Sequence, residues 1–141
     1  MQDIKLIHNG RFWTLDTENG DLAKTDSLDT AVYMSVLCEK KADKNKVANP
    51  LLRRGHFSTL FYNYEVGSFL WFYAYQKNIT TQTLELIKKT ITEGLKWFLD
   101  DKIMTKTEVL AKKKENGIEI DINLFGKKDD SKYYNLFVNL W

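Results

Sequence analysis

The sequence predicts an α+β fold: a short N-terminal β-hairpin, then two to three helices packed on a C-terminal three-stranded antiparallel sheet. Three observations carry this expectation. Leu84, Ile87, Ile91, Leu95 and Phe98 recur at helical spacing, whereas Ile118, Ile120, Ile122 and Leu124 alternate with Glu119, Asp121 and Asn123. Near the start, two Asn-Gly pairs, at residues 9–10 and 19–20, are turn signals between short apolar pieces.

Residues 1–25 form the predicted hairpin region, with "DIKLI" and "RFWTL" as its arms, the first Asn-Gly as its turn and the second as its end. Residues 26–41 read as a helix. Asp26 and Ser27 are N-cap types, and Asp29 places negative charge in the first turn. Leu28, Ala31, Val32, Ser35 and Val36 share a face, and Lys40 and Lys41 fall at the C-terminal end. Periodicity is then lost over residues 42–66, a long connection holding the only proline, Pro50, together with Gly55. Connections of this length in compact domains are uncommon and often functional.

Helical pattern returns over residues 67–101, with Gly67 and Ser68 as its start. Thr80 is placed to cap the longest helix, with Ile79 and Leu84 as a hydrophobic staple. Gly94 costs a helix about 1 kcal/mol against alanine, so close packing against a neighbour is predicted there. Residues 102–141 change period. "TKTEVLAKKK" is a weaker strand, Glu115, Asn116 and Gly117 form a turn, and Tyr134, Leu136, Val138 and Leu140 alternate in the last strand. Three strands with short links make an antiparallel meander with one buried face.

With 141 residues, a single domain spanning 1–141 is expected. Hydrophobic residues at 43% and charged residues at 28% support a core and argue against disorder. The net charge of +2 lacks the basic field of nucleic-acid binders. A lone cysteine, Cys38, excludes a framework of internal disulfides. The N-terminus shows no signal-peptide run, and the longest apolar window, residues 69–75, is far below the ~20 residues of a bilayer span. A soluble protein made in the cytoplasm, with neither membrane nor nucleic acid as partner, is the expectation.

Catalytic signals are sparse, and no catalytic, metal or cofactor residue is assigned. His8 and His56 belong to no HExxH or GxSxG pattern, and a Cys38–His56 nucleophile pair competes with Cys38 as a small buried hydrophobe. The acid pairs Asp100 with Asp101 and Asp129 with Asp130 sit beside lysines, where solvated charge is the default. Residues 49–59, "NPLLRRGHFST", hold adjacent Arg53 and Arg54 beside His56 and Phe57. A solvated turn and a carboxylate clamp, on this fold or on a neighbour, are both favoured over a phosphate site, because planar guanidinium forks pair with carboxylates and the loop is not strongly basic. Phe69 and Trp71 lie in an aromatic run that covers more than one side of any element, and Trp141 ends the last strand. Such residues dominate protein–protein hot spots.

The order of motifs resembles the baseplate-protein family of Mu-like contractile phage tails, distantly related to the gene-25-like wedge proteins. The resemblance rests on "DL" at 21–22, "SLDTAVYMSVL" at 27–37, "KKA" at 40–42 and "RRG" at 53–55. It continues through "GSFLW" at 67–71, Lys77, "TTQTL" at 80–84 and "LKWFLDD" at 95–101 to the final "LW". Phe69 stands where the family often has Arg, His56 and Phe57 where it often has two Trp, and Thr81 where a Pro is common. The resemblance implies a non-enzymatic inner wedge or sheath-initiator-like subunit in the virion, present in several symmetry-related copies. Its implied partners are other wedge proteins, hub or tube proteins and the sheath, and no small-molecule substrate is expected. Contacts are expected through Arg53, Arg54, His56, Phe57, Phe69 and Trp71, and through Tyr134, Leu136, Val138 and Trp141 of the last strand. A peptidoglycan-degrading enzyme, and a small nucleic-acid-binding module behind it, are the alternatives.

Overall fold

The computed structural model describes residues 2–8, 13–61, 64–128 and 130–139. Two compact units share the chain, one ending at Met34 and one beginning at Ser35.

Among the described residues of the first unit, six short strands form three antiparallel pairs. β1 (Asp3–Ile4) pairs with β6 (Lys24–Thr25), β2 (Leu6–His8) with β3 (Trp13–Leu15), and β4 (Thr17–Glu18) with β5 (Asp21–Leu22). Backbone bonds at Lys5, Asp16 and Ala23 link the pairs: Lys5 N donates to Ala23 O, Asp16 N to Lys5 O and Ala23 N to Asp16 O, each at 2.9 Å. The Asn-Gly pair at 9–10 lies outside the described residues. The second pair does not end the hairpin region. Asn19 and Gly20, at φ 52° and 82°, form the two-residue turn of a further hairpin, β4–β5. Strands of two residues are too short to show alternation, so periodicity misses them.

Helix α1 spans Asp29–Leu37, shorter at both ends than the predicted 26–41. Of the two predicted cap residues, Ser27 reaches the first turn: its Oγ accepts the Asp29 N–H at 3.4 Å. The C-terminal end is cut by tertiary pairing. Ser68 N donates to Cys38 O and Lys40 N to Ser68 O, both at 3.0 Å, in a parallel bridge between Glu39 and Ser68. Those backbone groups leave the helix for the bridge, and Lys40 and Lys41 lie beyond the last turn.

Residues 67–101 hold three helices: α2 (Leu70–Ala74), α3 (Thr81–Gly94) and α4 (Trp97–Asp100). Thr80 Oγ1 accepts the Thr83 N–H at 3.2 Å, the predicted cap. Ile87, Ile91, Leu95 and Phe98 are fully buried, while Leu84 is half-buried. The stripe continues across a break at residues 95–96 that separates α3 from α4. Gly94 packs as predicted: a Cβ there would meet Ser35 O at 2.6 Å.

The C-terminal meander has the order β7-β8-β9, with β7 at Lys106–Lys114, β8 at Gly117–Phe125 and β9 at Ser131–Asn139. Ile118, Ile120, Ile122 and Leu124 on the central strand are fully buried. Their register partners on β9 are Val138, Leu136, Tyr134 and Lys132, and on β7 Lys113, Ala111, Val109 and Thr107. Helix α3 packs on this sheet through β7.

A candidate interaction surface on the long connection

The connection at 42–66 has no strand or α-helix among its described residues, yet side chains hold its backbone in shape. Asp43 Oδ1 accepts the N–H groups of Asn45 and Lys46 at 2.9 and 3.0 Å. Asn49 Oδ1 accepts the Leu51 N–H at 3.0 Å and caps a 3-10 turn at Pro50–Leu52, where proline occupies the first position. His56 Nδ1 accepts the Ser58 N–H at 3.3 Å and lies 2.7 Å from Ser58 Oγ, capping a second 3-10 turn at Phe57–Leu60. Short polar side chains thus take up the amide groups that an irregular segment would leave unpaired.

Both arginines are engaged inside the chain. Arg53 donates from Nε to Val47 O at 2.9 Å and from Nη2 to Ala48 O at 3.0 Å, tying two carbonyls rather than a carboxylate. Arg54, at φ 52°, pairs with Glu39, and its guanidinium lies 4.7 Å from the centre of the Trp71 ring. Trp71 Nε1 donates to Lys40 O at 3.0 Å. Lys46 Nζ sits 4.9 Å from the centre of Phe69, and Lys40 Nζ pairs with Glu65 at 2.8 Å. The structure therefore brings Arg54 and Trp71 together and sets Phe69 under lysines. His56 serves as a cap, and Phe57 points outward at 69% exposure. Of the two carboxylate readings, Arg54 takes one belonging to its own fold.

Sequence reasoning missed the surface beside these residues. Leu51 is 91% exposed, Leu60 77% and Phe61 75%, with Leu52 and Tyr64 also exposed. The available signal was the apolar pairs Leu51-Leu52 and Leu60-Phe61 inside a segment without periodicity, where no amphipathic face is set to bury them. Exposed apolar side chains grouped on one segment make it a candidate interaction surface.

On the sheet, three of the expected contact residues need correction. Tyr134 and Leu136 are buried and Val138 half-buried, because the β8 register turns them onto the core face. Trp141 lies outside the described residues. The outward side chains of β9 include Tyr133 and Phe137, exposed beside Asn135. β9 is an edge strand of the meander, and alternate N–H and C=O groups of such a strand point away from its one neighbour.

Asp121 organises this outer face, accepting from Tyr133 Oη at 2.5 Å and from Asn135 Nδ2 at 2.7 Å. The Tyr133 bond, then the Asn135 bond, holds its carboxyl below the ordinary value of 3.8. A depressed folded-state value stabilises above that pH, and the contribution is lost as pH falls below it. Asp121→Asn is accordingly expected to shrink the drop in urea midpoint between pH 7 and pH 3. An unchanged drop would dismiss the network.

Burial, followed by the Glu39 carboxylate, raises the Cys38 thiol above its ordinary value, so it holds less thiolate at neutral pH than a free cysteine. No helix among the described residues is long and apolar enough to cross a membrane.

These features define a class: a small α+β protein with a helix-backed meander and an exposed apolar connection. The chain belongs to the family described as Phage protein GP46, which matches it over residues 28–131, roughly three quarters of its length. It is a phage protein. The match runs from just before α1 to the first residue of β9. No curated protein matches the chain.

Proposed function

We propose that the protein is a structural subunit of a contractile phage tail baseplate, an inner wedge or sheath-initiator-like component acting by assembly. It works in the virion in several symmetry-related copies, against other wedge proteins, hub or tube proteins and the sheath, without catalysis or cofactor. The observation that carries this reading is the exposed apolar group from Leu51 to Tyr64 in a chain of a phage family. A surface of that kind is costly to leave in water and gains most when a partner covers it permanently. The order of motifs resembling Mu-like baseplate proteins supports the baseplate location.

Phage carrying a stop codon early in this gene is expected to yield no complete tails, and the protein should be detected by mass spectrometry in purified wild-type tails. Complete, contractile tails formed without it would sink the proposal. Purified protein is expected to leave cell-wall suspensions turbid, and clearing would favour a peptidoglycan-degrading enzyme.

A further inference from the structure

We infer that the described residues of the segment 40–65 (40–61 and 64–65) dock into an apolar hollow rimmed by carboxylates on a neighbouring protein of the particle. The inference rests on the assembly reading above and adds the chemistry of the partner. Between residues 40 and 65 six cations, Lys40, Lys41, Lys44, Lys46, Arg53 and Arg54, stand against two acids, Asp43 and Glu65. That local excess is +4, or +3 once Glu39, the partner of Arg54, is counted, against the net +2 of the whole chain, so positive charge is concentrated where the apolar side chains are exposed. Leu51, Leu52, Phe57, Leu60, Phe61 and Tyr64 supply the insert.

Apolar centre and cationic flanks call for the complementary arrangement, an apolar hollow with acids at its edge. The shape is set before docking. Asn49 and His56 cap the two 3-10 turns, and Arg53, at the end of the first, ties that turn to residues 47–48. Holding the segment in one form lowers the ordering cost of association.

A protein fits this surface better than a lipid headgroup layer or a nucleic acid. Arg53 and Arg54 are engaged by carbonyls and by Glu39 of their own chain rather than left for phosphates. A phosphate backbone also offers no apolar hollow for the exposed side chains of Leu51, Leu60 and Phe61. Lys41 and Lys44 have no ion pair among the described residues and are the cations most available to a partner's acids.

The test uses assembled particles treated with a carbodiimide, which joins lysine amines to carboxylates in direct contact. Amide links are expected from Lys41, Lys44 or Lys46 to Asp or Glu of another particle protein. Phage carrying Leu60→Asp or Leu51→Asp are expected to incorporate at least tenfold less of the protein, while Leu60→Met retains incorporation. Both sites are solvent-exposed, and an unchanged melting curve of each purified variant separates docking from folding. If the protein is in particles but these lysines link only within its own chain, or Leu60→Asp enters at the wild-type level, the inference falls and the baseplate reading stands. Absence from particles overturns both. Sedimentation with phosphatidylglycerol vesicles that is lost on Leu60→Asp would assign the surface to lipid and overturn the protein partner.

Discussion

Gly67→Ala is expected to destabilise the protein by about 3 kcal/mol or more, from one added methyl group. Gly67 has φ +97°, a region that L side chains rarely adopt. A Cβ there would lie 2.1 Å from the backbone oxygen of Cys38, far inside van der Waals contact with an atom that cannot swing away. Relief requires residues 67–68 to move off residues 38–40. The Ser68 N to Cys38 O and Lys40 N to Ser68 O bonds would then lengthen or break, at about 1 kcal/mol each. Ser68 Oγ, which donates to Val36 O at 2.6 Å and accepts from Leu70 N at 3.1 Å, would be pulled from two further partners. Urea unfolding checks the size of the effect, and a midpoint equal to that of the parent would refute the close approach.

Phe98→Ala is expected to cost about 3–5 kcal/mol, through lost transfer energy and the cavity left behind. Phe98 is fully buried and stacks on Trp97, with ring centres 3.9 Å apart. Trp97 is itself tied down, since its Nε1 donates to Ser35 Oγ at 2.9 Å. The neighbourhood therefore has little freedom to collapse into the space. Phe57→Ala is the contrast: that ring is largely exposed, so its removal should stay within about 0.5 kcal/mol. Comparable losses from the two substitutions would mean that the connection packs against the core.

The elements legible in the sequence were those whose own side-chain period matches their burial. The stripe on α3 and the alternation on β8 each name their buried residues, because one face of each element meets the core and the other meets water. The two-residue strands before α1 were not legible, having too few residues for a period. The early end of α1 was not either, because it is set by Ser68, some thirty residues away in sequence.

The candidate site was half legible. Loss of periodicity with Pro50 and Gly55 marked residues 42–66 as a connection, and arginines beside aromatics marked it as a place of contact. Which groups remain available for contact was not marked. Arg53 reads as a carboxylate clamp until Val47 and Ala48 are seen to accept its bonds, and nothing in the sequence says that Leu51 stays exposed. Likewise the alternation in β9 sorts its side chains into two faces, but expecting contacts from Tyr134 and Leu136 overlooked that the apolar face was already needed by Ile120 and Ile122.

By itself the sequence determined the α+β class, the meander, the capped α3 helix and the place of the connection, because periodicity, capping and turn chemistry are local. Only the tertiary structure decided which arginine meets Glu39, which side of β9 is spent on the core and which leucines stay in water. Those outcomes depend on what lies opposite each side chain, and that is set by parts of the chain far away in sequence.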